Sequence, residues 1–271
     1  MKIHHLNCGT MNIPMALPRQ RTPDHAVCHC LLIETGDGLI LVDSGIGTED
    51  IRDPSRLGPM HYLLPIRRDP AGTALHQIQI MGYDARDVRH ILITHLDLDH
   101  TGGIPDFPNA TVHVLRDEYQ ASLAPSGFRE RHRYRKAHLS RAKRWETYDE
   151  TQGESWLGFP CIRSLRGIPE GIVLVPLKGH TRGHCGVAIE IPECWLFHAG
   201  DAYYSKLDMS PTPVCPLIFR LFERFVHLDH TGAMSMKRRL WELVNQSGHN
   251  LTVFCAHDPT ELKRFTALSQ G

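Results

Sequence analysis

"ILITHLDLDHTGG", residues 91–103, passes in one step from an apolar run to a cluster of His95, Asp97, Asp99 and His100. A short apolar run bounded by a polar turn predicts a buried strand ending at Thr94. On the extended loop beyond it, residues 95, 97 and 99 share one side. Asp99 and its neighbour His100 can aim at one centre only if the chain turns there, and Gly102 and Gly103 are expected to supply the freedom to turn. Burying such side chains without partners costs on the order of several kcal/mol each, a cost that a divalent cation removes. The odd member is Asp97, which stands where a histidine would be the expected partner for a metal bound to His95.

Working outward, "AVCHCLLIETGDGLILVDSGIG" (26–47) predicts two paired strands joined by a "TGDG" hairpin and ending at Asp43 in a glycine-rich loop. Residues 74–95 continue as an amphipathic helix, a turn and the buried strand, and "ATVHVLRDEYQASL" (110–123) as a strand leading into a helix. The stretch 171–204 predicts three strands whose loops carry His180, His184 and Asp201, and "NLTVFCAHDPTEL" (250–262) a last strand ending at His257 with a capped helix after Pro259. Two runs of strands, each closed by helices, predict two sheets packed face to face with helices outside. Asp43, His95 to His100, His180, Asp201 and His257 all lie just past a predicted strand end, where loops at one sheet edge can converge.

Two segments interrupt this pattern. Residues 125–150, with eight Lys or Arg between 129 and 144, predict an exposed basic insertion or lid. Residues 203–226, a proline-rich loop followed by "LIFRLFERFV", predict a loop-helix lid. "HLDHTG" (227–232) mimics the metal cluster but joins two amphipathic helices, so it is expected to be an interhelical turn capped by Asp229 or Thr231.

Thirty basic residues balance thirty acidic ones, so net charge favours neither nucleic acid nor an anionic membrane as a partner. No stretch approaches the length of an apolar membrane span and the start lacks a signal-like run, so a soluble, cytoplasmic chain of one domain over 1–271 is expected, with eight scattered, reduced cysteines.

In order after "LILVDSGIG", the stretches "THLDLDHTGG", "KGHTRGH", "HAGDAYY" and "FCAHD" resemble the motifs of the metallo-β-lactamase superfamily, with H-x-D-x-D-H in place of the usual H-x-H-x-D-H. The resemblance covers roughly residues 30–260 and implies a four-layer αββα sandwich of the α/β class with one or two metals at the sheet edge. By position it assigns His95, Asp97 and His180 to one metal and Asp99, His100 and His257 to the other, with Asp201 bridging them. Asp43 would support the site from behind, and His184 would buttress its loop. The spacing is most similar to the N-acyl-homoserine lactonase branch, in which a tyrosine at the position of Tyr204 contacts the substrate carbonyl.

The resemblance implies a metal-dependent hydrolase in which a metal-bridging hydroxide attacks a small ester, lactone or thioester, with Asp99 handling the proton. The cofactors expected are two divalent ions, zinc foremost, with manganese or iron favoured by the hard carboxylate of Asp97. The partner expected is a small-molecule substrate, with a homodimer open. A di-iron, flavodiiron-like oxidoreductase, a phosphodiesterase or nuclease, and a binding protein with a degenerate site are the alternatives.

Overall fold

Successive side chains of a strand point to opposite sides, and in "LLIETGDGLILV" both sides are buried. Leu32, Leu39 and Leu41 enter one core, and Leu31, Ile33, Ile40 and Val42 enter another. A strand buried on both faces belongs to a middle layer. The computed structural model describes residues 1–13, 23–59, 62, 65–150, 154–246 and 250–268.

The first sheet has six strands in chain order: β1 (Lys2–Asn12), β2 (His25–Thr35), β3 (Gly38–Val42), β4 (Val88–Leu92), β5 (Thr111–Leu115) and β6 (Arg144–Tyr148). β1 to β3 form an antiparallel meander, and β3 to β6 run parallel. After a small hairpin, β7 (Ser155–Trp156) and β8 (Phe159–Pro160), come β9 (Ile172–Pro176), β10 (Cys185–Ile191), β11 (Cys194–His198) and β12 (Leu251–Phe254). The last four make a second sheet in the order β12-β11-β10-β9, with β11 and β12 parallel.

The α-helices among the described residues are α1 (Thr48–Arg52), α2 (Ala74–Ile80), α3 (Leu98–Thr101), α4 (Arg116–Leu123), α5 (Gly127–Arg133), α6 (Lys136–Leu139), α7 (Leu217–Val226), α8 (His230–Gln246) and α9 (Pro259–Leu268). Ile51 of α1, Ala74 and Ile78 of α2 and Ala121 of α4 pack on the outer face of the first sheet. Leu92, Leu115, Leu174, Val187 and Phe254 join the core between the sheets, and Leu240 and Leu243 of α8 cover the outer face of the second with Val173 and Phe197. Each fully buried aliphatic side chain contributes roughly 1.5 to 3 kcal/mol, so the three apolar interfaces hold four layers, αββα.

Two features lie beyond the sequence reading. The N-terminal residues form β1, whose mixed sequence "KIHHLNCGTMN" carries little strand pattern but pairs along β2. The basic segment is more than an exposed insertion: much of it is exposed and α5 lines the cavity, but it also contributes α6 and the edge strand β6, and Glu130, Tyr134 and His138 within it are buried. Several of its arginines bind carbonyls, Arg129 that of His227, Arg135 that of Arg56 and Arg144 that of Asn109, so the charge is spent on holding the chain together. The eight cysteines are free, and among the described residues no helix is long and apolar enough to cross a membrane.

Candidate metal centre

The ends of β3, β4, β11 and β12 and the loop between β9 and β10 deliver the histidines and aspartates to one sheet edge. Gly102 and Gly103 work differently from the sequence expectation. Their backbones are ordinary, φ −56° and −80°, and what demands glycine is space: a Cβ on Gly102 would lie 2.5 Å from Asp50 Oδ2, and one on Gly103 2.4 Å from Ser44 O. Their lack of a side chain lets the β3 loop touch α3.

The donor atoms fall into two overlapping sets around Asp201. Its Oδ2 lies 3.9 Å from His95 Nε2 and 3.5 Å from His180 Nε2, while its Oδ1 lies 3.3 Å from His100 Nε2 and 3.1 Å from His257 Nε2. Asp97 Oδ2 adds to the first set, 3.4 Å from His95 Nε2 and 3.1 Å from His180 Nε2, and Asp99 Oδ2 to the second, 3.6 Å from His257 Nε2. Tetrahedral zinc bonds of about 2.0 to 2.1 Å place ligand atoms roughly 3.3 Å apart, so this spacing suits an ion at each set. His95 Nε2, His100 Nε2 and Asp201 Oδ1 are buried without a hydrogen-bond partner. Such orphaned groups are costly, and all three aim into the cluster.

The electrostatics run the same way. Burial works against charge on His257, but Asp201 and then Asp99 lift it to about 9. Burial likewise opposes charge on His100, and Asp43 and Asp201 on its two sides raise it well above the usual histidine range. Burial pushes the Asp201 carboxyl up, yet His257, His100 and His95 hold it well below the carboxylate range. The field that holds Asp201 low draws positive charge to this point.

The supporting residues have defined partners. Asp43, at φ 55°, accepts from Thr94 N and Thr94 Oγ1, each at 2.8 Å, and lies 2.7 Å from His100 Nδ1. His184 Nδ1 donates to Leu177 O at 2.9 Å and its Nε2 accepts from Asp201 N at 2.9 Å, which spends both nitrogens outside the donor sets. Tyr204 Oη is 3.2 Å from His180 Nδ1 and 3.2 Å from Asp201 Oδ2. At the "HLDHTG" turn, Asp229 Oδ1 accepts from Gly232 N at 2.9 Å and caps α8.

The family model described as the metallo-beta-lactamase superfamily matches residues 24–245. The chain belongs to the metallo-β-lactamase superfamily.

Among curated superfamily relatives, a probable metallo-hydrolase of Mycobacterium tuberculosis is 40% identical over 98% of this chain and 84% of its own length. An N-acyl homoserine lactonase of Rhizobium radiobacter is 28% identical over 69% of this chain and 68% of its own length. Solved structures share the fold: an N-acyl homoserine lactone hydrolase with N-hexanoyl-L-homoserine at its catalytic metal centre superposes with a TM-score of 0.71, at 22% identity over 97% of this chain and 95% of that one. A dizinc quorum-quenching lactonase superposes at 0.64, at 17% identity over 95% and 87%.

Two residues outside the superfamily motifs matter as much as those within them. Glu118 on α4 is fully buried and accepts from Leu96 N at 3.0 Å and Gly183 N at 2.9 Å, tying the "THLDLDH" loop to the "KGHTRGH" loop. Arg133, at the end of α5, places Nη1 2.8 Å from Asp97 Oδ2, 3.1 Å from Asp97 Oδ1 and 3.1 Å from His180 Nε2, and its Nη2 donates to Val226 O. Burial pushes Asp97 up, but Arg133 and then His95 pull it well below the carboxylate range. The negative charge that Asp97 adds is thus faced by a guanidinium, a partner the sequence does not indicate. A "-x-E-x-" in the first turn of a helix and one arginine in a basic run carry no pattern that would single them out. His227 was also not expected at the site, and its buried ring stands 5.6 Å from that of His180.

The donor sets floor a cavity of about 620 Å³. Its polar floor includes Asp97, Asp99, Asp201, His180 and His257, and its walls are largely apolar, with Met11 and Ile13 at the end of β1, Phe128 of α5, and Ile218, Phe222 and Phe225 of α7, while Arg129, His132 and Arg133 of α5 also line it.

Proposed function

We propose that this chain is a metal-dependent hydrolase of a small lactone, ester or thioester carrying an apolar acyl part. The observation that carries the proposal is a metal-competent donor cluster at the floor of an apolar-walled cavity, which suits a substrate with one polar reacting group and one hydrocarbon portion. Relatives named as N-acyl homoserine lactonases support the class of reaction.

His95, Asp97, His180 and Asp201 would hold one ion, and Asp99, His100, His257 and Asp201 another, with zinc or manganese suited to this mixture of imidazole and carboxylate. Held there, a divalent ion would supply a more acidic bound water and polarisation of a carbonyl oxygen. The chain's own residues do the rest. Asp99, open to the cavity, takes a proton at its carboxylate and returns it to the leaving oxygen. Burial, and then Asp201, raises the Tyr204 hydroxyl well above its ordinary value, so it stays neutral and can donate to the substrate carbonyl. The apolar walls seat the acyl part and exclude water beside the scissile bond.

The test is a turnover screen of zinc- and manganese-loaded protein over lactones, aryl esters, thioesters and phosphodiesters, with acyl chains of increasing length. Hydrolysis of carboxylic esters or lactones that improves with acyl length, and is lost in His180→Ala and Asp201→Ala proteins that keep their fold, is expected. Activity on phosphodiesters alone, or activity surviving either substitution, would overturn the proposal.

A further inference from the structure

The two donor sets are unequal, and Arg133 is the reason. In the second set Asp201 Oδ1 faces His100 Nε2 at 3.3 Å and His257 Nε2 at 3.1 Å, whereas in the first, where His95 Nε2 is left without a hydrogen-bond partner, both Asp97 oxygens and His180 Nε2 already face one guanidinium nitrogen at 2.8 to 3.1 Å. These are the lone pairs an ion would use. His180 Nε2 also lies 3.1 Å from Asp97 Oδ2: with the proton on Nδ1 toward Tyr204 Oη its lone pair accepts from Arg133, and with the proton on Nε2 it donates to Asp97, and in both forms the guanidinium stands where an ion would sit. Arg133 is held there independently, since its Nη2 donates to the last carbonyl of α7, at Val226, and its side chain is only 9% exposed.

Charge leads to the same place. A carboxylate at 97 adds one negative charge relative to a histidine, and the guanidinium cancels it. An ion entering the first set must then approach a fixed positive charge that sits on two of its ligands, a repulsion that water screens poorly in a buried site. The chain uses a side-chain cation in this way elsewhere: Lys237 Nζ lies 2.9 Å from Asp208 and 2.5 Å from Glu223 in a buried acidic cluster.

We infer that Arg133 is a built-in competitor for the first metal position, so that the chain takes up one ion tightly in the Asp99–His100–His257–Asp201 set and a second only weakly, when the guanidinium leaves Asp97 and His180. This rests on the metal centre proposed above but not on its substrate or its turnover.

The experiment titrates the full-length, chelator-stripped chain with Zn²⁺, and separately with Mn²⁺, against a chromophoric competitor, reading stoichiometry and affinity rather than activity. The wild type should show one tight equivalent and a second at least about tenfold weaker, a gap of about 1.4 kcal/mol. Arg133→Gln should strengthen the second step by about tenfold or more and leave the first in place, whereas Arg133→Lys, which keeps a positive charge, should leave the second step weak. Two equally tight equivalents in the wild type overturn the inference without any variant, as does a second step unmoved in a folded Arg133→Gln protein. Absence of any tight equivalent in the wild type overturns the metal centre itself and this inference with it.

Discussion

Asp43 and His100 meet at 2.7 Å, Oδ2 to Nδ1, with both side chains buried. The contact fixes which His100 nitrogen faces the donor cluster. With Nδ1–H given to Asp43, Nε2 is the nitrogen that faces Asp201 and His257, and the carboxylate makes it more basic.

Asp43→Asn keeps the size of the side chain but removes its charge, and it should weaken metal binding by about 10- to 100-fold while leaving the secondary structure intact. Metal titration with circular dichroism as the control checks this. Wild-type affinity in the variant would mean that His100 is oriented by something else.

Glu118→Ala leaves the buried amides of Leu96 and Gly183 without acceptors, which should cost roughly 2 to 5 kcal/mol. Because the two amides belong to the loops carrying His95 and His180, metal affinity should fall as well. Denaturant unfolding paired with metal titration separates the effects, and a loss of stability with metal binding untouched would make Glu118 a purely structural residue.

Tyr204→Phe removes one hydroxyl from a neutral tyrosine whose ring remains packed against α7. Turnover should drop by about tenfold or more, chiefly in kcat, with metal content near that of the wild type. If kcat and KM are both unchanged, Tyr204 is only a packing residue beneath the cavity.

Glu261 has a different role, in the pH dependence of stability. Burial raises its carboxyl from 4.5 to about 7, only partly offset by the Cys255 amide and the Tyr203 hydroxyl that bind it. Between those two values the folded state holds a proton that the unfolded state has lost, so stability falls as pH rises through the window and levels off above it. The penalty reaches roughly 3 kcal/mol. Chemical denaturation at pH 5 and pH 8 should show a stability difference between wild type and Glu261→Gln that shifts by about this amount in favour of the variant, and a constant difference across the window would contradict the assignment.

The two-sheet architecture was legible because strands buried on both faces leave short apolar runs, and their polar ends mark one edge. "LILVDSG", "ILITHLD" and "LFHAGD" each show that switch within a few residues. β1 and β6 were not legible, since an edge strand is stabilised by its neighbour's backbone and needs little pattern of its own: β1 borrows its register from β2 and β6 from β5. The two glycines that follow α3 were visible, but the reason for them was not, because close approach to Ser44 and Asp50 joins segments far apart in the chain.

By itself the sequence determined the chemical identity of the donors and their placement at strand ends, because ligand type and the period of a strand are local properties. Only the tertiary structure decided what Asp97 faces. Arg133 lies 36 residues further on, within a run of charges that reads as solvated. It becomes buried because α5 folds back over the site and the end of α7 takes its second nitrogen. A charge run does not reveal which of its members will be desolvated, since that depends on which carboxylate and which carbonyl the fold brings to it.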